Sequence, residues 1–248
     1  MGSPRRHDRA ETILNMKSGK LTLIPTPLDE SLPLEPVALK LLLDECMKED
    51  TLLLVEEHKV ARQRWIRWGL PREAIDRFIL FNEHTQEDSC GPVTKEIQAG
   101  KNVYLMSDGG LPAFCDPGQK LVRACHGNGI TVTSSPFPNS ISLALALSGI
   151  EHSKFSFAGF LSTDSSERKK ELDQIGLRNE TSILMDTPYR LKALLNDIST
   201  SRLKGRKFFL ATNLNSSHEK NFFGNLTEVL AASEQLHKPE FILVISGQ

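Results

Sequence analysis

The sequence predicts an α/β fold divided into two units. Short apolar runs rich in Leu, Ile and Val alternate with longer segments whose apolar residues recur at helical spacing, the pattern of strands covered by helices on both faces. The cluster Ser134-Ser135-Pro136-Phe137-Pro138-Asn139 breaks this alternation near the middle of the chain. With 248 residues, 39% of them hydrophobic, the chain has apolar material for one large or two small cores. The expected division is a disordered segment over 1–19, an N-terminal α/β domain over 20–135 and a C-terminal α/β domain over 136–248.

In the first domain the runs at 21–25, 51–56, 77–81, 102–106 and 130–134 read as strands. Between them, 35–48 carries Val37, Leu41, Leu42 and Cys46 at helical spacing, and 58–68, 88–99 and 117–128 complete four helices. The second domain opens with an apolar helix at 140–148. Its strands are expected at 154–160, 181–186, 206–213, 221–224 and 240–246, and its further helices at 165–176, 188–198 and 226–235. The polar start, with Arg5, Arg6, His7, Asp8 and Arg9, lacks the apolar run of a secretory signal and suits disorder.

Charge and cysteine usage narrow the function classes. Lys and Arg total 30 against 31 acidic residues, so no global positive field draws the chain to nucleic acid, and RNA contact requires a local patch. Cys46, Cys90, Cys115 and Cys125 form no CxxC pair and have no zinc-like spacing, which suits reduced thiols in a cytoplasmic protein without a metal. No stretch approaches the ~20 apolar residues that a membrane span needs, so no membrane association is expected.

In open α/β sheets ligands gather at the carboxyl ends of strands, so the residues that follow each apolar run are the candidates. The strand ending at Met106 leads into Ser107-Asp108-Gly109-Gly110-Leu111-Pro112, where two glycines permit close backbone approach and Asp108 can accept from a hydroxyl or an amino group. Asp116-Pro117-Gly118 reads as a helix start, with Asp116 capping free amides. Further polar clusters follow other strands: Glu56-Glu57-His58, Asn82-Glu83-His84-Thr85 and Asp186-Thr187-Pro188-Tyr189-Arg190. There is no P-loop, no strand followed by GxGxxG and no HExxH, which argues against a P-loop enzyme or a Rossmann dehydrogenase. Arg62, Arg64, Arg67 and Arg72, interleaved with Trp65 and Trp68, form a candidate RNA strip. The alternative is an exposed basic helix whose tryptophans pack inward.

Taken in order, these motifs resemble the tetrapyrrole methylase superfamily, in its RsmI-type branch of ribosomal-RNA ribose 2′-O-methyltransferases. Leu23-Ile24-Pro25-Thr26-Pro27 resembles that branch's first strand and loop, with Leu28-Asp29-Glu30 replacing its Ile-Gly-Asn. Glu56-Glu57-His58-Lys59 stands in place of Glu-Asp-Thr-Arg, and Asn82-Glu83-His84-Thr85 in place of His-Glu-His-Asn. Ser107-Asp108-Gly109-Gly110-Leu111-Pro112 with Asp116-Pro117-Gly118 is similar to its SDAGTP and SDPG elements at the same separation. Pro136-Phe137-Pro138-Asn139-Ser140 resembles its PGPSA loop, with Phe137 at the glycine position. Asp186-Thr187-Pro188-Tyr189-Arg190, His218-Glu219 and Glu240-Phe241-Ile242-Leu243-Val244-Ile245 are similar to its EAPHR, HE and GEFVLVI elements.

The resemblance implies two α/β domains, with S-adenosylmethionine folded in the cleft between them, and a homodimer. Carried over by motif, the cofactor contacts are Pro25, Asp108, Gly109, Leu111, Asn139, Ser140, Asp186, Ala211 and Glu240. Methyl transfer from a sulfonium is an in-line displacement that needs alignment and no metal. A ribose hydroxyl needs help to lose its proton, and Glu57, His84, Lys59 and Glu219 are the candidates for that work or for phosphate contact. Three functions compete: methylation of small-subunit ribosomal RNA, methylation of a small tetrapyrrole-like or other acceptor, and S-adenosylmethionine binding without catalysis.

Overall fold

The computed structural model describes residues 18–137 and 139–248, which fall into two compact units that part after Phe137. The expectation of disorder over 1–19 lies outside the described residues except at its end. There Gly19 is anchored, its N–H donating to Ile97 O at 2.9 Å.

The first unit is a parallel α/β layer. Its strands are β1 (Lys20–Ile24), β2 (Thr51–Val55), β3 (Phe78–Leu80), β4 (Asn102–Met106) and β5 (Thr131–Ser134). They line up in the order β3-β2-β4-β1-β5, all parallel. Four helices connect them: α1 (Pro36–Glu45), α2 (His58–Arg67), α3 (Gln86–Gln98) and α4 (Gln119–Gly127). Ala38, Leu42 and Trp65 of α1 and α2 pack with Leu53, Val55, Tyr104 and Met106. Val93, Ile97, Leu121 and Cys125 of α3 and α4 pack with Leu21, Leu54, Val103 and Leu105. The alternation along each strand thus feeds two separate cores, and for that reason β2 and β4 read as unbroken apolar runs.

This strand order positions the site. The chain leaves β1 toward β2 on one side and leaves β4 toward β5 on the other, although β1 and β4 are neighbours. Connections that depart in opposite directions open a crevice at the carboxyl ends of those two strands. There Thr26 and Gly110 form an isolated bridge, with N–H to O distances of 2.9 and 3.0 Å.

The second unit carries a mixed sheet in the order β6-β7-β10-β8-β9. Its strands are β6 (Phe155–Gly159), β7 (Thr181–Asp186), β8 (Phe208–Thr212), β9 (Lys220–Gly224) and β10 (Phe241–Ile245). Only β6 and β7 run parallel; β10 is antiparallel to both its neighbours, and β9 to β8. Helices α6 (Ser165–Gly176), α7 (Leu191–Ser199) and α8 (Leu226–Ser233) cover the face bearing Leu184, Leu210 and Leu243. Helix α5 (Ser140–Ser148) packs Ile141, Ala144 and Leu145 with Ile183, Ala211 and Ile242.

Two local expectations are corrected. The helix expected at 188–198 begins as a 3-10 turn over Pro188–Arg190 and becomes α-helical only from Leu191. Helix α4 begins at Gln119, and its N-cap is Gly118, without a side-chain cap bond, instead of Asp116. Gly118 has φ 129°, and a Cβ there would stand 2.7 Å from Leu105 Cδ2.

Candidate active site

Five loops end the parallel strands of the first unit on one edge, and a depression of about 600 Å³ lies among three of them. Glu56, Glu57, Asn82, Glu83, His84, Asp108 and Asp116 are on its walls. That volume is within the range of small-molecule sites.

The loops are tied to each other before any ligand is considered. The Asp108 N–H donates to Glu56 Oε2 at 3.1 Å, joining the end of β4 to the end of β2. Asn82 Nδ2 donates to Glu56 O at 3.4 Å, adding the end of β3. Asn82 Oδ1 accepts the N–H groups of His84 (3.0 Å) and Thr85 (3.1 Å), which builds the turn that presents Glu83 and His84. The hydroxyl of Thr26 donates to Ser107 O at 3.1 Å, so the β1 loop is fastened to the β4 loop.

Crowded carboxylates give the depression its electrostatics. Burial and the neighbouring Glu56 push the Asp108 carboxyl up to about 6, opposed by the backbone N–H of Glu57 and by Arg64. Burial and Glu56 likewise push Asp116 up to about 6, opposed by a hydrogen bond from Ser107. At neutral pH both are largely ionised, and against five carboxylates on the walls stand Lys120, which is paired with Glu87, and Arg64 beside Asp108, so the depression favours a ligand that carries positive charge.

The sequence-predicted residues distribute as follows. Glu57, His84 and Asp108 share the depression. Glu57 is the N-cap of α2, its carboxylate accepting from Lys59 N (3.1 Å) and Val60 N (3.2 Å), which leaves it less available as a base. His84 is exposed, with Nε2 3.3 Å from the Glu83 carboxylate. Lys59 lies on the exposed side of α2 and does not line the depression. Pro25 is buried directly after β1, and Gly109 and Leu111 belong to the Gly110 bridge beside it. Asp116 is the residue that local reading assigns to capping and the structure assigns to the site wall.

In the second unit, Asp186, Ala211, Glu219 and Glu240 collect at one edge of the sheet. Phe241 pairs with both Asp186 and Thr212, and Thr212 pairs with Lys220, so these four residues stand on or beside one line across the strands. The Asp186 side chain is fully buried: Oδ1 accepts the Thr187 N–H at 2.7 Å, whereas Oδ2 has no hydrogen-bond partner and only an ion-pair distance of 3.3 Å to Arg190 Nε. Ala211 is a core residue, Glu240 is exposed and its N–H donates to Asn213 Oδ1 (3.1 Å), and Glu219 closes the β8–β9 turn by accepting from Asn215 N. Asn139 caps α5 by accepting the Ser142 N–H at 2.8 Å, and Ser140 is the first helical residue.

The tryptophans do not join the arginines in an exposed strip: Arg62, Arg67 and Arg72 are exposed, but Arg64 and Trp65 are buried. Arg64 is buried and donates to Pro27 O at 2.7 Å, Trp65 is buried with Nε1 on Pro71 O at 2.8 Å, and Arg67 donates to Glu30 O. Trp68 is half-buried, its Nε1 3.4 Å from Leu32 O. The tryptophans pack inward, and the two central arginines brace the β1 loop.

Comparison with known proteins fits this architecture. The tetrapyrrole (corrin/porphyrin) methylases match residues 39–230. A Bacillus subtilis (strain 168) protein named ribosomal RNA small subunit methyltransferase I is 32% identical over 242 residues, covering 96% of this chain and 80% of that protein. A Synechocystis protein of the same name is 36% identical over 170 residues, or 68% of this chain, and the match spans 61% of the relative's length. Among solved structures, uroporphyrin-III C-methyl transferase from Thermus thermophilus complexed with S-adenyl homocysteine superposes with a TM-score of 0.54 at 16% identity, covering 92% of this chain and 97% of the other. With residues 39–230 matched and a 32% identical relative covering 96% of the chain, the chain belongs to the tetrapyrrole methylase family of S-adenosylmethionine-dependent methyltransferases.

Proposed function

We propose that this chain methylates a ribose 2′-hydroxyl of small-subunit ribosomal RNA. The observation that carries the reading is the gathering of Asp108 and Asp116 of the β4 loop with Glu56 of the β2 loop at the carboxyl end of a parallel sheet, in a chain whose relatives are named for that RNA. S-adenosylmethionine, when bound, supplies an electrophilic methyl group on a sulfonium.

The residues fit that cofactor on two observations. The buried Ser135 Oγ after β5 and Asp186 Oδ2 after β7 both lack hydrogen-bond partners, and ligand hydroxyl or amino groups would satisfy such orphans. The carboxylates of the depression suit a molecule bearing a sulfonium and an ammonium. On the first unit Pro25, Asp108, Gly109 and Leu111 would hold it, Asp108 accepting from a hydroxyl pair or the ammonium. Asn139, Ser140, Asp186, Ala211 and Glu240 are the proposed contacts on the second unit.

Proton loss from the acceptor falls to groups that titrate below neutrality and face the depression. Asp116 meets both conditions, and His84 stands at the rim. Glu57 orients α2, Lys59 and Glu219 remain candidates for phosphate contact, and a homodimer in the cytoplasm accompanies this reading. Among the described residues no helix is long and apolar enough to cross a membrane.

The acid lining also separates the acceptor classes. A polyanionic small molecule lodged inside would meet Glu56, Glu57, Glu83, Asp108 and Asp116, whereas a ribose hydroxyl can reach the rim with its phosphates outside. The test is transfer of labelled methyl from S-adenosylmethionine to isolated small ribosomal subunits, compared with a small-molecule extract. Label in ribose supports the proposal, and label only in the extract overturns it.

A further inference from the structure

With Arg64 buried and the tryptophans packed inward, the Arg62 to Arg72 segment offers no aromatic-lined strip, and a second group of exposed cations lies in the second unit. At the sheet edge of the second unit remote from Asp186, β6, β7 and β8 begin and β10 ends. Lys154 precedes β6, Arg178 lies three residues before β7, and Arg202, Lys204 and Lys207 stand in the loop before β8. All five are exposed, and among the described residues none forms an ion pair.

This edge is built rather than incidental. Arg206 is buried beneath it and gathers three carbonyls, donating to Ser246 O (3.1 Å), Gly176 O (2.9 Å) and Arg178 O (2.7 Å). Among the described residues it has no carboxylate partner, so its charge adds to the field above it. Gly176 lets the Arg202 loop close on the end of α6, since a Cβ there would stand 2.6 Å from Arg202 Cβ. The local carboxylates are Glu151, Asp173 and Glu180. Of these, Glu151 accepts the Ser153 N–H (2.8 Å) and Asp173 the Arg202 N–H (3.0 Å). From β6 to β8 the row crosses three strand spacings, roughly 14 Å.

We infer that this cationic edge of the second unit docks the phosphate backbone of the acceptor RNA, at the end of the sheet opposite Asp186. The inference rests on the RNA reading and adds to it a surface that grips phosphates without reading sequence. Such a surface releases counterions on binding, so its affinity falls with salt by a slope of roughly 0.9 per phosphate neutralised.

The experiment measures binding of the full chain to small-subunit ribosomal RNA by fluorescence anisotropy across a salt series, for the wild type and for the triple variant K154Q/R178Q/K207Q. The variant is expected to bind about tenfold or more weakly, with a salt slope smaller by roughly 2 to 3. Calorimetric affinity for S-adenosylhomocysteine and the thermal midpoint should be unchanged, and K154R/K207R should keep the wild-type slope. Wild-type RNA binding with an unaltered slope in the triple variant overturns this surface alone. Absence of RNA binding by the wild type removes the acceptor reading and the docking surface together.

Discussion

Asp108 and Asp116 are where residue chemistry decides the account. Each has a folded pKa near 6, above an unfolded value of 3.8, so the native state holds more protons between those limits. Their contribution to stability is therefore greatest in acid and falls as pH rises from about 4 through 6. Affinity for a cationic ligand moves the opposite way, because the carboxylates ionise over the same window. Asp116→Asn should raise the thermal midpoint at pH 7.5 and leave it nearly unchanged at pH 4, which scanning calorimetry at the two pH values would reveal. Wild-type affinity for S-adenosylmethionine should climb between pH 5 and 7.5. Asp108→Ala, measured by titration calorimetry at pH 7.5, is expected to weaken that binding about tenfold or more, since one charge-assisted hydrogen bond contributes about 1.5–3 kcal/mol. An unchanged dissociation constant would remove Asp108 from the site. The sequence displays Asp108 plainly, between an apolar strand and two glycines, but it hides Asp116. An Asp-Pro-Gly triplet has the local form of a helix cap, but the cap falls on Gly118, and Asp116 stands on the wall within reach of the Glu56 charge.

Among the elements, strands were the easiest to read and helix ends the hardest. Phe241 to Ile245 appears as one apolar run because alternate side chains serve two cores, Phe241, Leu243 and Ile245 on one face and Ile242 and Val244 on the other. The start of α7 was less legible, since Pro188 lacks an N–H and suits both a 3-10 turn and an α-helical first turn. Helices α6 and α7 are locked by the buried pair Arg168 and Asp197, with Nε to Oδ2 at 2.7 Å, and Arg168 also donates to Ser162 O and Thr163 O. Asp197→Ala leaves that guanidinium buried and unpaired, and a loss of about 3–5 kcal/mol is expected in denaturant unfolding. A loss below about 1 kcal/mol would show that the pair is not what joins these helices. Gly118→Ala, which combines a positive φ with a close approach to Leu105, should disorder the 107–118 loop and weaken cofactor binding more than it lowers stability.

Over the whole molecule, a net charge of −1 averages an acidic region in one unit with a basic one in the other. The depression at the parallel sheet is acidic, and one edge of the second sheet is basic. Composition cannot show this, because strand order rather than chain order brings Lys154, Arg178 and Lys207 to one edge. Motif order, by contrast, survives in the sequence, since each element follows its strand along the chain. The antiparallel pairing of β10 is not marked there, as a strand between two covered faces looks the same in either direction. On the proposed reading, this chain places a methyl group on a ribose of small-subunit ribosomal RNA. The most direct measurement maps 2′-O-methyl riboses in that RNA from cells with and without the gene, and from cells carrying the Asp108→Ala form. The account predicts one methylated ribose lost without the gene, restored by the wild type and not by the variant; identical maps in all strains would contradict it.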